Sequence, residues 1–306
     1  MANFVNLMLP KKIVTDKPED ILQKYIQESN YIAESIKQGL RLQCLIKEDI
    51  TFNGKIQKID PHIRLFHKKF DYIVNGLKRL YLPRNTLLDG ILILDGSCFL
   101  KDILRFYKHG LDNMNKLFDK YGMPVFIIYD VIYFDGKDLS STYFEQRRKI
   151  IEDNIIDMEQ IKKSKIYFPS FYKNKPLNGV IGQSPIFYLR KPTSFYHFYK
   201  SNAWKILKFL KSYLVVLMDA FDTPKREGEC CSISIGQYSN GILIDIQKIG
   251  AISDISIRRD LFENKSDYIG KVVEIKALDR YQMYFLEPKY YRMRFDIKPE
   301  ECIMEN

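Results

Sequence analysis

The sequence predicts an α+β protein built from two domains. Its 306 residues fit two domains at roughly 100–200 residues each, and 46% hydrophobic with 28% charged residues is typical of folded globular chains. Helical and extended patterns alternate along the first two thirds of the chain, whereas extended segments follow one another in the last third. The change falls near Lys211, so we expect domains at 1–210 and 211–306.

The elements of the first domain follow from apolar spacing and turn residues. Apolar positions at helical spacing predict a helix over 17–40, with Asp16 as its N-cap and Gly39 as its end. The pattern then predicts a strand over 42–47 and a hairpin around Pro61. A helix over 70–80, a strand over 86–94, a helix over 100–121, a buried strand over 124–136 and a charged helix over 141–153 complete the domain.

The last third of the chain has the texture of a small β-barrel. Its extended segments are separated by turns rich in Gly, Asn, Asp or Lys, and they cover 212–221, 230–238, 241–249, 271–278 and 281–286. Five such strands in about 95 residues favour a barrel of the oligonucleotide/oligosaccharide-binding (OB) kind.

Charge and composition narrow the class of partner. The net charge of +10 and a pI of about 9.1 favour a polyanionic partner. No apolar run approaches the roughly 20 residues needed to cross a bilayer, and the N-terminus lacks a secretory signal. Five cysteines and four histidines show no metal-ligand spacing, which indicates free thiols in a reducing compartment. We therefore expect an intracellular protein, neither secreted nor membrane-bound.

Several short segments, in order, resemble the ATP-dependent DNA ligases, which share a nucleotidyltransferase superfamily with the mRNA capping enzymes. These enzymes attach AMP to the lysine of a KxDGxR motif. Lys47 and Asp49 take the lysine and aspartate places here, while the glycine and the arginine are absent. Lys58 is a second candidate, but Pro61 then stands where the motif needs a glycine. In the ligases an aromatic-Ser-Arg segment follows the nucleophile by roughly 20 residues. Here Lys68 takes the place of its arginine.

The resemblance continues through the first domain. Residues 88–92 resemble an LDGEL strand in which Ile91 replaces the glutamate, leaving Asp89 as the expected metal ligand. Residues 128–137 and 145–148 resemble the adenine-stacking strand and the helix after it, with Tyr129 as the stacking ring. Residues 178–183 take the place of EGxxxK, and Asn178 replaces its glutamate.

Two further segments continue the resemblance, one at the end of the first domain and one in the barrel. Trp204 to Lys208 resembles a WxKxK strand, so Lys205 and Lys208 are expected near the nucleotide phosphates. Residues 287–296 resemble a PxFxRxRxDK ending. The residues there that we expect to contact DNA or its phosphates are Lys289, Arg292, Arg294 and Lys298.

The resemblance implies a nucleotidyltransferase domain of the ligase adenylation kind, ATP-grasp-like, followed by an OB-fold barrel, as in viral or phage ligases. It therefore also implies a location in the cytoplasm of a host cell, a nucleus or a viral factory. It implies binding of duplex or nicked DNA, with replication, repair or transcription proteins as further partners. Loss of the carboxylates at Ile91 and Asn178 leaves Asp49 and Asp89 to hold a metal. Because losing one preorganised electrostatic partner costs about 10²–10³ in rate, we expect impaired or lost catalysis and no cofactor.

The alternative is an active ATP-dependent DNA ligase. It would seal nicks in replication, repair or recombination through a Lys47-AMP intermediate, with ATP and Mg²⁺ as cofactors. A capping guanylyltransferase that uses GTP is a third hypothesis, and the ligase-like ending of the barrel argues against it.

Overall fold

The computed structural model describes residues 2–3, 5–6, 8–36, 38–48, 50–53, 71–95, 114–154, 166–167, 171–172, 185–222, 227–250 and 252–304. The chain divides into two compact units. Unit 1 comprises Met1–Ile13 and Lys17–Lys208, and unit 2 comprises Val14–Asp16 and Phe209–Asn306. Helices and strands are mixed in both units, so the predicted α+β class is confirmed.

The helices are short and the strands are numerous. The helices are Pro18–Leu22, a π-helix Gln23–Glu28, Asp71–Arg79, Met114–Tyr121, Phe144–Asn154, Ile255–Glu263, Lys265–Tyr268 and a 3-10 turn Pro299–Glu301. The strands of unit 1 are β1 (Leu9–Thr15, which ends in unit 2), β2 (Ile32–Ser35), β3 (Leu40–Ile46), β4 (Ile50–Asn53), β5 (Thr86–Leu94), β6 (Pro124–Phe134), β7 (Lys137–Asp138), β8 (Ile166–Tyr167), β9 (Phe171–Tyr172), β10 (Ile186–Arg190) and β11 (Lys200–Phe209). Those of unit 2 are β12 (Lys211–Phe221), β13 (Ser232–Ser239), β14 (Ile242–Ile249), β15 (Val272–Ala277), β16 (Asp279–Tyr281), β17 (Tyr284–Leu286) and β18 (Lys289–Arg294).

The described residues of unit 1 form two sheets. The first sheet has the order β4-β3-β5-β6-β7, with β8 added parallel to β6, and the second sheet has the order β1-β11-β10-β2-β9. Every residue of β5 is buried, including the polar Thr86 and Asp89, which agrees with its mostly apolar sequence and its central place between β3 and β6. Apolar side chains of the first sheet pack with those of helix Asp71–Arg79, and this layer forms the main core of the unit.

The helix predicted over 17–40 is wrong beyond Glu28. Asn30 has a positive φ of 52°, and the chain then forms β2, which pairs with β10. The apolar residues there serve a buried strand, where sheet pairing overrides the helical spacing. Gly39 ends no helix: a Cβ on it would lie 2.4 Å from the carbonyl oxygen of Leu92. Glycine therefore permits the close approach at which the chain passes from the second sheet to the first.

Most other predicted elements of unit 1 are confirmed. They are the strands predicted over 42–47, 86–94 and 124–136, observed as β3, β5 and β6, and the helices predicted over 70–80 and 141–153. Only the last eight residues of the helix predicted over 100–121 are described, and they are helical. The hairpin predicted around Pro61 lies outside the described residues.

Unit 2 is an antiparallel sheet of order β14-β13-β12-β15-β18, with β16 and β17 as a separate hairpin. Its core is apolar, and helix Ile255–Glu263 contributes Leu261 to it. The fifth strand of the sheet is β18, whereas the predicted segment 281–286 contributes to the hairpin. The expected OB-like barrel is confirmed as the architecture. No helix among the described residues is long and apolar enough to cross a membrane.

Candidate functional site

A layer of buried charged side chains lies between the two sheets of unit 1. It contains Glu34, Arg41, Asp89, Asp130, Arg147 and Arg190, hereafter the inter-sheet charge cluster. The carboxylates in it are 0–2% exposed. Because buried charges are stable only when they are paired and hydrogen-bonded, the ion pairs of this layer decide what it can bind.

Arg41 and Asp89 form the pair nearest the predicted nucleotide site. They lie on neighbouring strands, β3 and β5, and the Arg41 Nε atom donates to Asp89 Oδ1 at 3.0 Å while Nη2 donates to Oδ2. Nη1 of Arg41 donates to the Met8 carbonyl, and the Tyr196 hydroxyl donates to Asp89 Oδ2 at 2.9 Å. Burial alone would lower the pKa of Arg41, but the Asp89 carboxylate outweighs it and holds that pKa well above its ordinary value. Both oxygens of Asp89 are therefore engaged.

Two aromatic rings lie close to the Arg41 guanidinium. The Arg41 Cζ atom lies 4.4 Å from the centroid of the Trp204 ring and 6.0 Å from that of Tyr129. Tyr129 is fully buried, and its ring packs edge-on against Tyr188, with centroids 5.2 Å apart. Burial raises the pKa of Tyr129 well above its ordinary value. The ring predicted to stack on adenine thus faces an arginine of the chain itself.

A second group of ion pairs surrounds Asp130. Its oxygens accept from Arg147 Nε at 2.8 Å, Arg147 Nη2 at 2.9 Å and Arg190 Nη1 at 3.0 Å. Burial would raise the pKa of Asp130, but Arg147 and Arg190 outweigh it and lower that pKa. Glu34 lies 3.3 Å from Arg190 and 3.2 Å from Arg148, yet burial dominates and raises its pKa. These pairs connect β2, β6, β10 and helix Phe144–Asn154.

The predicted nucleotide-site residues do not all come together. Lys47 lies at the turn after β3, half-buried, and donates to Asn3 Oδ1 at 3.2 Å. Strand alternation places Lys208 on the same face of β11 as Trp204, and Lys205 on the opposite face. The structure therefore brings Tyr129 and Asp89 together with Arg41, and directs Lys205 away from them. Asp49, Lys68 and Asn178 lie outside the described residues.

The predicted DNA-contact residues of unit 2 differ in their pairing. Arg292 Nε donates to Glu274 Oε2 at 2.8 Å, and Arg294 contacts both Glu274 and Asp296. Hydrogen bonding from Arg294 lowers the pKa of Asp296 to about 2. Neither Lys289 nor Lys298 has an ion pair with any described residue. The two arginines share one outward face, as the alternation of the sequence predicts.

One feature of that surface differs from the alternation. The register between β15 and β18 shifts between Glu274 and Ile275, which leaves Tyr291 without a partner opposite it. Such an extra residue is a β-bulge, and it turns the Tyr291 ring outward beside the arginines while Tyr290 and Met293 face the core. Lys276 Nζ lies 4.7 Å from the Tyr291 ring centroid.

The comparisons with known proteins agree with this architecture. No family model matches the chain. A structure titled "DNA binding with a minimal scaffold: Structure-function analysis of Lig E DNA ligases" superposes with a TM-score of 0.60 at 15% identity, covering 95% of this chain and 100% of that one. A second structure, "Pmar-Lig_PreS3", gives a TM-score of 0.62 at 13% identity, covering 93% of this chain and 67% of that one. The chain has the fold of the DNA ligases.

A sequence relative points the same way. The chain is 24% identical over 212 residues to a DNA ligase from Thermoplasma volcanium, and the match covers 62% of this chain and 35% of that one. The chain thus spans about a third of the length of this curated relative. The predicted resemblance to DNA ligases is confirmed.

Arg41 is the residue of this ligase fold that sequence reasoning missed. The signal was present: residues Ile36 to Arg41 keep the glycine and the arginine of KxDGxR, as Gly39 and Arg41. In this second register Ile36 takes the lysine place and Gln38 the aspartate place. The register was hidden because the segment carries helical spacing, whereas it forms the passage between the two sheets.

The part of this interior that the structure describes does not fit a bound Mg²⁺ ion. Magnesium prefers carboxylate, phosphate and water oxygens, but both Asp89 oxygens already accept from Arg41 and Tyr196. No three metal-ligating side chains converge within the described ranges. The interior also has surplus N–H donors, because Gln43 Nε2, Trp204 Nε1 and Arg190 Nη2 have no hydrogen-bond acceptor among the described residues.

Proposed function

We propose that this chain is a DNA ligase-like protein that binds duplex or nicked DNA and does not carry out adenylyl transfer. One observation carries the proposal: the Arg41 guanidinium lies 4.4 Å from the Trp204 ring centroid and 6.0 Å from that of Tyr129 while it engages Asp89. The groups expected to hold a nucleotide and its metal are thus bound to a side chain of the protein. A nucleotide would have to displace a buried, paired cation, and breaking such a pair costs about 3–5 kcal/mol.

The two registers of the nucleophile motif support the same conclusion. The register at Lys47 keeps the lysine and loses the glycine and the arginine, whereas the register at Ile36 keeps the glycine and the arginine and loses the lysine. An isoleucine has no nucleophilic atom. Adenylyl transfer needs the lysine amine beside the nucleotide pocket, and neither register combines that amine with the flexible glycine.

DNA binding is supported by charge as well as by fold. The chain carries 48 Lys and Arg against 38 Asp and Glu. On unit 2, Lys289 and Lys298 have no carboxylate partner among the described residues, and the Arg292 side chain remains 58% exposed despite its pair with Glu274. Exposed cations of this kind contact phosphates and do not read the base sequence. We therefore expect binding that is salt-dependent and independent of sequence.

Nucleotide binding is tested through Trp204, the only tryptophan of the chain. Its fluorescence is recorded during titration with ATP and Mg²⁺ or Mn²⁺, and the protein is then denatured and weighed for covalent AMP. We expect no fluorescence change and no adduct. Lys47→Ala is the matched variant, and an adduct that this substitution abolishes would make the chain an active ATP-dependent ligase.

DNA binding is tested separately, by fluorescence anisotropy with labelled duplexes that differ only in a single nick. We expect the protein to bind both duplexes. A plot of the logarithm of the binding constant against the logarithm of the salt concentration should be a falling line, with a slope of about −0.9 for each neutralised phosphate. A protein that binds neither duplex at low salt would contradict the DNA-binding half of the proposal and leave the adenylylation result unaffected.

A further inference from the structure

Unit 1 carries a second group of cations, on the face of the second sheet that points away from the charge cluster. Lys205 follows Trp204 on β11, and its Nζ atom lies 5.4 Å from the ring centroid of Tyr25 and 5.8 Å from that of Tyr31. Lys191, which follows β10, has its Nζ atom 5.7 Å from the Tyr31 ring. The two tyrosine rings meet edge to face, with centroids 5.1 Å apart. The ammonium groups of Lys205 and Lys191 therefore lie near the same pair of tyrosine rings.

Lys205 lacks the carboxylate partner that a buried cation normally has. Lys205 is 7% exposed, and its Nζ atom donates to the Asn202 carbonyl at 2.9 Å. Among the described residues, no carboxylate pairs with Lys205, with Lys191 or with the nearby Lys11. Burial lowers the pKa of Lys205, and the charges of Lys11 and Lys191 lower it further. An unpaired, nearly buried cation beside like charges is costly, and an anion bound there would remove that cost.

We propose that Lys11, Lys191 and Lys205, with the hydroxyl of Tyr25, form a binding site for a phosphate group of a nucleic-acid backbone, while the Tyr31 hydroxyl donates to the Asn202 carbonyl. Only one donor of the Lys205 ammonium is directed to Asn202, so others remain for phosphate oxygens. Lysine is a common phosphate ligand, and tyrosine hydroxyls donate to phosphates as well. The site is separate from the Arg41 interior, because neighbouring residues of a strand point to opposite faces. The nucleic-acid source of the phosphate rests on the proposed function.

The test compares charge removal inside and outside this site. Salt dependence of duplex binding is measured by anisotropy for the full chain, Lys191→Gln, Lys205→Gln and the control Lys137→Gln. Lys137 is an exposed lysine of β7 in the same unit. We expect each site variant to reduce the salt slope by about 1 and to weaken binding at low salt about tenfold, with the control unchanged. Lys191 is exposed, so Lys191→Gln keeps the test decisive if Lys205→Gln does not fold.

A second measurement distinguishes a nucleic-acid phosphate from a free one. Thermal unfolding of the same proteins is followed with inorganic phosphate, with tripolyphosphate and with duplex DNA. Stabilisation by duplex DNA that Lys191→Gln removes supports the proposal. Stabilisation by the free phosphates, without any binding of duplex, would overturn the nucleic-acid source and the proposed function together. If the full chain binds DNA but Lys191→Gln and Lys205→Gln behave like the control Lys137→Gln, the phosphate site is overturned and the proposed function is not.

Discussion

The two units of the molecule fill their interiors with different chemistry. Unit 2 has a core of aliphatic side chains, such as Val215, Ile235 and Ile275, all of which are fully buried. Unit 1 has an aliphatic layer beneath its first sheet, but between its sheets it buries carboxylates and guanidinium groups. An apolar core needs only volume and shape, whereas a charged interior needs every partner in place. We therefore expect unit 2 to act through its surface residues, and the charged interior of unit 1 to be more sensitive to the loss of a single side chain.

The largest effect on stability is expected from removing Asp130 in unit 1. Asp130→Ala leaves Arg147 and Arg190 buried without their shared carboxylate, and we expect a loss of about 3–5 kcal/mol in the free energy of unfolding. Urea unfolding followed by fluorescence measures it, because Trp204 reports on unit 1 alone. A loss below 1 kcal/mol would show that the interior tolerates unpaired cations and is not specialised.

The same carboxylate predicts how acid affects unit 1. The pKa of Asp130 is lower in the folded chain than its ordinary 3.8, so its contribution to stability is complete above about pH 4 and is lost as the pH falls through the folded value. We expect the Trp204 transition of the natural chain to shift to lower urea between pH 5 and pH 2.5. Asp130→Ala removes this part of the shift, and an identical acid shift in both proteins would assign it to other groups.

The Arg41–Asp89 pair tests whether a buried ion pair of unit 1 is required for folding. Arg41→Met leaves Asp89 buried and unpaired, and we expect a loss of about 3–5 kcal/mol, whereas the double variant Arg41→Met, Asp89→Leu returns to within about 1 kcal/mol of the natural chain. Such recovery would show that the pair is not needed for folding. A double variant as unstable as the single one would instead make the pair structural.

Ile235→Val is the matched change in the apolar core of unit 2. Removing one buried methylene there costs about 0.5–1.5 kcal/mol, because the fully buried site on β13 loses only contact and hydrophobic energy. Hydrogen exchange of β12 and β13 measures the change in unit 2, and the Trp204 transition serves as the control. A shift of the Trp204 transition by the same amount would mean that the two units unfold together.

The sequence predicted unit 2 better than the interior of unit 1, for a physical reason. Alternating strands such as Ser232–Ser239 carry their own signal, since each residue is apolar or polar according to its face. The segment around Ile36 carries a helical spacing that long-range pairing of β2 with β10 overrides. Arg41 and Arg190 are as polar as surface residues in sequence, and only partners more than forty residues away explain their burial. Lys205 shows the limit of motif reasoning, because one position along a strand reverses the face on which a side chain lies.

The smallest effect on stability is expected at the surface of unit 2, where it separates folding from binding. Arg292→Ala removes a mostly exposed guanidinium, and Arg294 still contacts the buried Glu274 carboxylate, so we expect at most about 1 kcal/mol of lost stability. Its effect on duplex binding is expected to be easier to detect. Losing one phosphate contact reduces the slope of the binding constant against salt concentration, on logarithmic axes, by about 1. Anisotropy at several salt concentrations measures that slope, with Arg259→Ala, an exposed cation on helix Ile255–Glu263, as the matched control. Equal slopes in the two variants would show that the outward arginines of β18 do not contact phosphates, and DNA binding would then rest on unit 1.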